Sequence, residues 1–263
     1  MWMTVYRQPL YYEIAFSFID AKRQVDCFEE IISKFSEIKV RRVLDIACGP
    51  SLQLREMARR GYETIGLDIN SEMLEYLRAK AKEEGLKIET VQADMTNFKL
   101  RKKVDYAFIM MGSFNFKSNE ALLSHLNSTA ASLNKGGLYF IQNFGVNWKI
   151  DWTKPKKQSW ETEKNGIRVK ATYETHVKDV VNQIITEKIT LNVNDHGKKQ
   201  TFTHEEDLKL VFPQELKLLI KLNNKFEFLG WWAGNTDWWH LNQPLEKTEE
   251  SKLDTNMILL RRK

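Results

Sequence analysis

The stretch "VRRVLDIACGPSLQLREMA", residues 40–58, decides the fold. Val43, Leu44 and Ile46 suit a buried strand that ends beside an aspartate, Asp45. Leu52, Leu54, Met57 and Ala58 then recur at roughly helical spacing. Ala47, Cys48, Gly49 and Pro50 make a small join between the two, and its glycine lets the backbone come close to something lying across it. A helix that opens on such a turn directs unpaired N–H groups outward. The stretch therefore reads as a strand–turn–helix seat for a ligand with exposed oxygens, typically a nucleotide-like one.

The same alternation continues on both sides. Strands are expected at 42–47, 62–68, 87–93, 104–111 and 138–144, and helices near 52–60, 71–84 and 118–134. Gly61, Gly85 and the pair Gly136-Gly137 punctuate the helix ends. This regularity predicts an α/β fold with a parallel sheet and helices on both faces. Residues 8–38 read as helix, with Asp20 a cap and Val25, Phe28, Ile31, Ile32, Phe35 and Ile38 an apolar stripe. Residues 158–212 change to β-rich patterns separated by "KNG", "KDVVN" and "NDHGK", an antiparallel sheet inserted into the fold. Pro213 opens a further helix, and "FEFLGWWAGN" (226–235) and "NMILLRRK" (256–263) are final apolar runs.

Composition bounds the rest. The 263 residues are 42% hydrophobic, enough for a full core. No run of about 18 apolar residues predicts a membrane span, and the N-terminus lacks secretory features. Cys27 and Cys48 make no disulfide framework and suit the cytoplasm. A net charge of +5 permits weak attraction to an anionic partner, but the charge is dispersed among 35 acidic residues, with "KPKK" (154–157) and "RRK" (261–263) the densest basic pieces. The five histidines are scattered, so no metal site is expected.

Asp68 closes the second strand, 19 positions after Gly49. It either grips a ribose diol across neighbouring strand ends or caps the helix that starts near Ser71, and the glycine turn and spacing favour the diol. Asp94 ends the third strand in the corresponding place and could accept from an adenine amino group with Met95 on the ring, or simply close a turn. Asp45 either holds the loop or balances a cationic ligand. Cys48 reads as a small turn residue with no base nearby to activate it.

These residues bring in a resemblance. "VLDIACGPS" (43–51), "GLDIN" (66–70), "ADMTNF" (93–98) and "LNKGGLYFIQNF" (133–144) resemble the class I S-adenosylmethionine-dependent methyltransferases, closely over 41–144 and loosely over 213–263. The resemblance implies a Rossmann-like seven-stranded sheet whose last strand is antiparallel. It further implies a turn at Ala47–Gly49 under the methionine moiety, Asp68 on the ribose and Asp94 on the adenine. Tyr12, Asp45, Ile69, Met73, Met95 and Met110 complete the implied cofactor site. The family's usual D-x-G-x-G-x-G departs here to Ala47 and Ser51 at the outer glycine positions. A nicotinamide enzyme is the rival, but G-P-S-L-Q-L after Gly49 lacks the second and third glycines of G-x-G-x-x-G.

Methyl transfer from a sulfonium leaves a neutral thioether, so alignment and exclusion of water can do most of the work. The acceptor site is expected over "MMGSFNF" (110–116), which lacks the Pro-Pro-aromatic signature of base-amine methylases and a cysteine for pyrimidine C5 chemistry. A small-molecule acceptor is therefore expected, with transfer to N, O or C. An RNA (tRNA) methyltransferase and a non-catalytic cofactor-binding relative are the alternatives. Tyr11, Ser113, Asn115, Trp148 and Trp232 are candidate acceptor contacts, with Trp152 and Trp231 as further aromatics. His176 and Tyr12 are the candidate catalytic residues, with His204 and Tyr173 behind them; each has core packing or plain exposure as its alternative. The expected organisation is an N-terminal helical cover (1–40), a cofactor-binding core (41–145), an inserted β region over the acceptor pocket (146–212) and completion of the sheet (213–263).

Overall fold

The computed structural model describes residues 4–142, 153–234, 239–249 and 255–263. Two helices open the chain, α1 (Pro9–Ala15) and α2 (Ala21–Phe35). The expected single helix over 8–38 is thus broken at Phe16–Asp20. Asp20 starts the second helix, its carboxylate accepting from the Arg23 N–H at 3.1 Å.

The alternating units follow: β1 (Arg42–Ile46), α3 (Leu52–Arg59), β2 (Glu63–Asp68), α4 (Ser71–Glu83), β3 (Ile88–Gln92), β4 (Val104–Ile109), α5 (Asn119–Ser132) and β5 (Leu133–Gln142). The fifth strand starts earlier than expected and carries Gly136 and Gly137 within it, where its pairing with β4 shifts register. Four strands then form a separate antiparallel sheet: β6 (Lys156–Lys164), β7 (Ile167–Asp179), β8 (Ile184–Asp195) and β9 (Lys198–Lys209). The chain returns through α6 (Pro213–Asn223), β10 (Phe226–Gly234), β11 (Trp239–Pro244) and β12 (Thr255–Arg262).

Among the described residues the main sheet has eight strands, in the order β11-β10-β12-β5-β4-β1-β2-β3. β1 to β5 pair in parallel, and β12 runs antiparallel between β5 and β10. This is the expected arrangement with one strand added: β11 pairs antiparallel with the outer edge of β10. Strand alternation sorts the core into two layers. Val43, Tyr106, Phe108 and Phe140 pack with Val25, Phe28 and Ile31 of α2, Leu54 of α3 and Leu77 of α4. Leu44, Ile46, Ala107 and Tyr139 pack on the other face with Leu122 and Leu126 of α5 and Leu216 and Ile220 of α6.

The small sheet has its own apolar layer of Val169, Ala171, Leu191, Val193 and Phe202, which buries Val5, Ile14 and Ala15. β6 clamps the end of α1: Trp160 Nε1 donates to the Ala15 carbonyl at 2.8 Å and Thr162 Oγ1 to the Ile14 carbonyl at 2.7 Å. The N-terminal region therefore divides, α1 resting on the small sheet and α2 on the main one. No helix among the described residues is long and apolar enough to cross a membrane.

Candidate active site

The turn after β1 is built from left-handed residues. Ala47 (φ 56°), Gly49 (φ 52°) and Ser51 (φ 31°) all have positive φ. The outer two lack glycine's freedom and keep its conformation at a cost of about 1–2 kcal/mol each. The surroundings fix them there. Cys48 N donates to the Leu67 carbonyl at 2.9 Å, and Gly49 N donates to Asp68 Oδ2 at 2.8 Å. Ser51 Oγ donates to Asp45 Oδ2 at 2.6 Å while accepting from Leu54 N at 3.0 Å, so one hydroxyl joins the buried acid to the start of α3.

Three carboxylates stand along this edge. Asp45 is 4% exposed, and burial pushes its acid well above the usual range. Asp68 is also buried, which raises its acid, while N–H groups of Asn70, Gly49 and Ile69 pull it back. Both of its oxygens are used: Asn70 N donates to Oδ1 at 2.9 Å, opposite the Gly49 bond. Asp94 is exposed, and its Oδ1 closes a local turn by accepting from the N–H and hydroxyl of Thr96, each at 2.7 Å. Beneath that loop His125 is fully buried. A carbonyl can only accept, so Nδ1–H donates to Met95 O at 2.9 Å and Nε2 accepts from Tyr139 Oη at 2.6 Å.

A cleft of about 1690 Å³ runs from these strand ends to the inner face of the small sheet. Single-ligand pockets span roughly 300–1,000 Å³, so two ligands can share it. At one end Tyr12, Asp45, Ala47, Cys48, Gly49 and Asp68 line it, continued by Ile69, Met73, Asp94, Met95 and Met110. Ser113 and Asn115 border the middle, on a loop pinned where Asn115 Nδ2 donates to Gly112 O at 2.5 Å. Tyr173, His176 and His204 border the far end. His176, however, is exposed, and alternation puts it on the opposite face of β7 from Tyr173 and Thr175.

Other expected contacts lie elsewhere. Tyr11 points away from the cleft: its hydroxyl donates to Asp195 Oδ2 at 2.8 Å and its ring stacks on Phe202 at 5.7 Å. One helical step of about 100° separates it from Tyr12, which faces the cleft. Trp232 is core, 5.4 Å from Phe35 of α2, and Trp231 packs on the opposite layer against Phe228. Trp148 and Trp152 fall outside the described residues. Sequence reasoning missed Tyr6, Glu13, Glu187 and Glu206, all of which line the cleft. For the last two a signal existed. The turn at His196-Gly197 sets the register Asp195↔Lys198, and counting back pairs Glu187 with Glu206.

Residues 43–137 match the family model described as a methyltransferase domain. The sheet order above is shared with solved S-adenosylmethionine-dependent methyltransferases, which the chain resembles in fold. Over its whole length it is similar to an S-adenosylmethionine-dependent methyltransferase from Clostridium acetobutylicum, with TM-score 0.77, 17% identity and 96% of each chain covered. CalS10, an amino pentose methyltransferase from Micromonospora echinaspora solved with S-adenosylmethionine, aligns with TM-score 0.70 and 16% identity over 96% of each chain. In sequence it is 37% identical over 67 residues to the ubiquinone biosynthesis O-methyltransferase of Yersinia pestis (strain Pestoides F). That match covers 26% of this chain and 28% of the relative, so the chain matches little more than a quarter of the curated protein's length.

Proposed function

We propose that this chain transfers a methyl group from S-adenosylmethionine to N, O or C of a small-molecule acceptor. The observation that carries the reading is the row Asp45, Asp68 and Asp94, on three strand ends around a positive-φ turn, at one end of a cleft roomy enough for two ligands. The donor set fits the cofactor. It combines acidic oxygens for an ammonium, a sulfonium and a diol with an apolar slot edged by Met73, Met95 and Met110. A side chain at Gly49 would project over that slot with only Met73 Sδ near it, at 4.0 Å, so the backbone here forms the floor of an open cradle.

When bound, S-adenosylmethionine supplies an electrophilic methyl on a sulfonium, whose departure as a neutral thioether needs no acid. The protein's own work is then placement. Asp68 offers its remaining lone pairs while its backbone bonds hold the carboxylate still. Asp94 presents Oδ2 from a loop braced by His125. Tyr12, close to Asp68 and half-buried, has its phenol pushed up by desolvation, stays protonated and walls the reacting end against water. A small acceptor suits a cleft roofed by the inner face of the four-stranded sheet. Cys27 and Cys48 are buried and form no disulfide, which suits the cytoplasm.

Calorimetry with S-adenosylmethionine tests the reading on wild type, Asp68→Ala and Asp94→Ala. Asp94 makes only local turn contacts, so its variant separates ligand binding from folding. Affinity is expected to fall on the order of ten-fold or more in both variants. Equal affinity in all three proteins would contradict the proposal. Transfer of labelled methyl into a cell extract, with mass identification of the product, then names the acceptor.

A further inference from the structure

We infer that the acceptor nitrogen is an amine, and that Glu187, backed by Glu206, receives it on the inner face of the small sheet; this rests on the methyltransferase reading above. The register sets two neighbouring rows across β7, β8 and β9: Tyr173–Ile189–His204 and Thr175–Glu187–Glu206. Glu187 and Glu206 are thus direct cross-strand partners, an arrangement that like charges make unfavourable. The opposite face of the same strands behaves conventionally, pairing Lys188 with Glu205 at 3.8 Å and Lys157 with Glu174 at 2.9 Å. On the cleft side no lysine or arginine pairs with either glutamate among the described residues. The nearest base is His204, with Nε2 3.3 Å from Glu206 Oε1.

Aromatic groups enclose this pair. The Tyr173 hydroxyl donates to Glu187 and orients it. Tyr6 meets the His204 ring edge-on at 4.7 Å. Tyr6 is half-buried, lines the cleft, and its hydroxyl has no hydrogen-bond partner among the described residues. Partly desolvated carboxylates, aromatic faces and an unused phenol are what an ammonium ion requires. A neutral hydroxyl would leave the two acids facing each other unrelieved.

The step balances. The bound ammonium gives one proton to the Glu187 carboxylate, and the freed lone pair forms the N–C bond. The S–C pair leaves with sulfur, and the positive charge passes from sulfonium to the methylated ammonium. Burial raises the Glu187 acid, opposed by the Tyr173 hydrogen bond and assisted by Glu206, which favours its taking that proton.

Ligand-observed NMR titration in the presence of S-adenosylhomocysteine tests this with two matched pairs, cyclohexylamine against cyclohexanol and glucosamine against glucose. In wild type the amine of each pair is expected to bind at least about ten-fold more tightly than its hydroxyl partner. Glu187→Gln should abolish that preference, leave S-adenosylhomocysteine binding unchanged and raise the thermal midpoint of the ligand-free protein by relieving like-charge repulsion. Equal binding of amine and alcohol, or an amine preference that survives Glu187→Gln, would overturn the inference while leaving the cofactor reading intact. Failure of wild type to bind S-adenosylhomocysteine would remove that reading and this inference with it.

Discussion

Replacing Gly66 by alanine is expected to damage the fold and the cofactor seat together. Gly66 lies in mid-strand on β2 with an ordinary φ, so alanine meets no backbone strain. Its Cβ would, however, stand 2.9 Å from Cys48 Sγ, 2.9 Å from Leu77 Cδ2 and 3.2 Å from Leu54 Cδ1. Comfortable contacts lie at about 3.5–4.0 Å, so the neighbours must yield roughly 0.7 Å. Leu77 and Leu54 are fully buried in the core, so the displacement is expected to reach Cys48 and, with it, the turn. Overpacking of this kind costs about 2 kcal/mol, which for a chain of this length lowers Tm by roughly 6 °C. Calorimetric scanning reads that loss, and titration with S-adenosylhomocysteine should show affinity falling on the order of ten-fold as Gly49 shifts. Cys48→Ala removes one clashing atom, so the double variant should recover about 1 kcal/mol relative to the sum of the singles. A Tm within about 1 °C of wild type, or strict additivity with Cys48→Ala, would refute the reasoning.

Three further outcomes are expected. Burial raises the Asp45 acid, so its contribution to stability is present below the ordinary aspartate range and lost as pH rises through its folded value; Asp45→Asn should flatten that loss in urea titrations from acid to neutral pH while weakening S-adenosylmethionine binding. Burial lowers His125 from 6.5 to about 4, so stability is full above 6.5 and falls by about 3 kcal/mol as pH drops through that window; His125→Gln should remove most of that slope. Arg55 and Glu13 form a buried ion pair at 3.1 Å; Arg55→Met alone should cost about 3–5 kcal/mol by denaturant midpoint, and much less when combined with Glu13→Leu.

Much of the main sheet was legible because parallel strands covered on both faces read as apolar runs, and 43–47, 64–68 and 104–109 are such runs. The turn was legible from one glycine beside two small residues, although only the structure explains why Ala47 and Ser51 suffice: Asp45, Leu67 and Asp68 hold the loop left-handed. The strand "KKQSWETEK" (156–164) escaped notice because it is an exposed edge, short of apolar residues and stabilised by its partner β7. β11 escaped because its edge position depends on β10 rather than on its own pattern. The helix break at Phe16–Asp20 hid behind an unbroken apolar stripe, since the stripe of α2 alone satisfied the periodicity. Tyr11 and Trp232 illustrate a further limit. Aromatic residues attract functional readings, but a single step along a helix or strand decides whether they face a ligand or the core.

The two halves of the cleft are held by different kinds of backbone. The half around Gly49 and Asp68 is made of loops whose path depends on particular bonds, Cys48 N to the Leu67 carbonyl and Gly49 N to the Asp68 carboxylate, so few changes there are tolerable. The far wall consists of alternate side chains on strands whose hydrogen bonds run independently of what those side chains are. Evolution, or an engineer, can therefore exchange residues 173, 187, 189, 204 and 206 like tiles on a fixed frame, retuning acceptor choice without rebuilding the chemistry beside it.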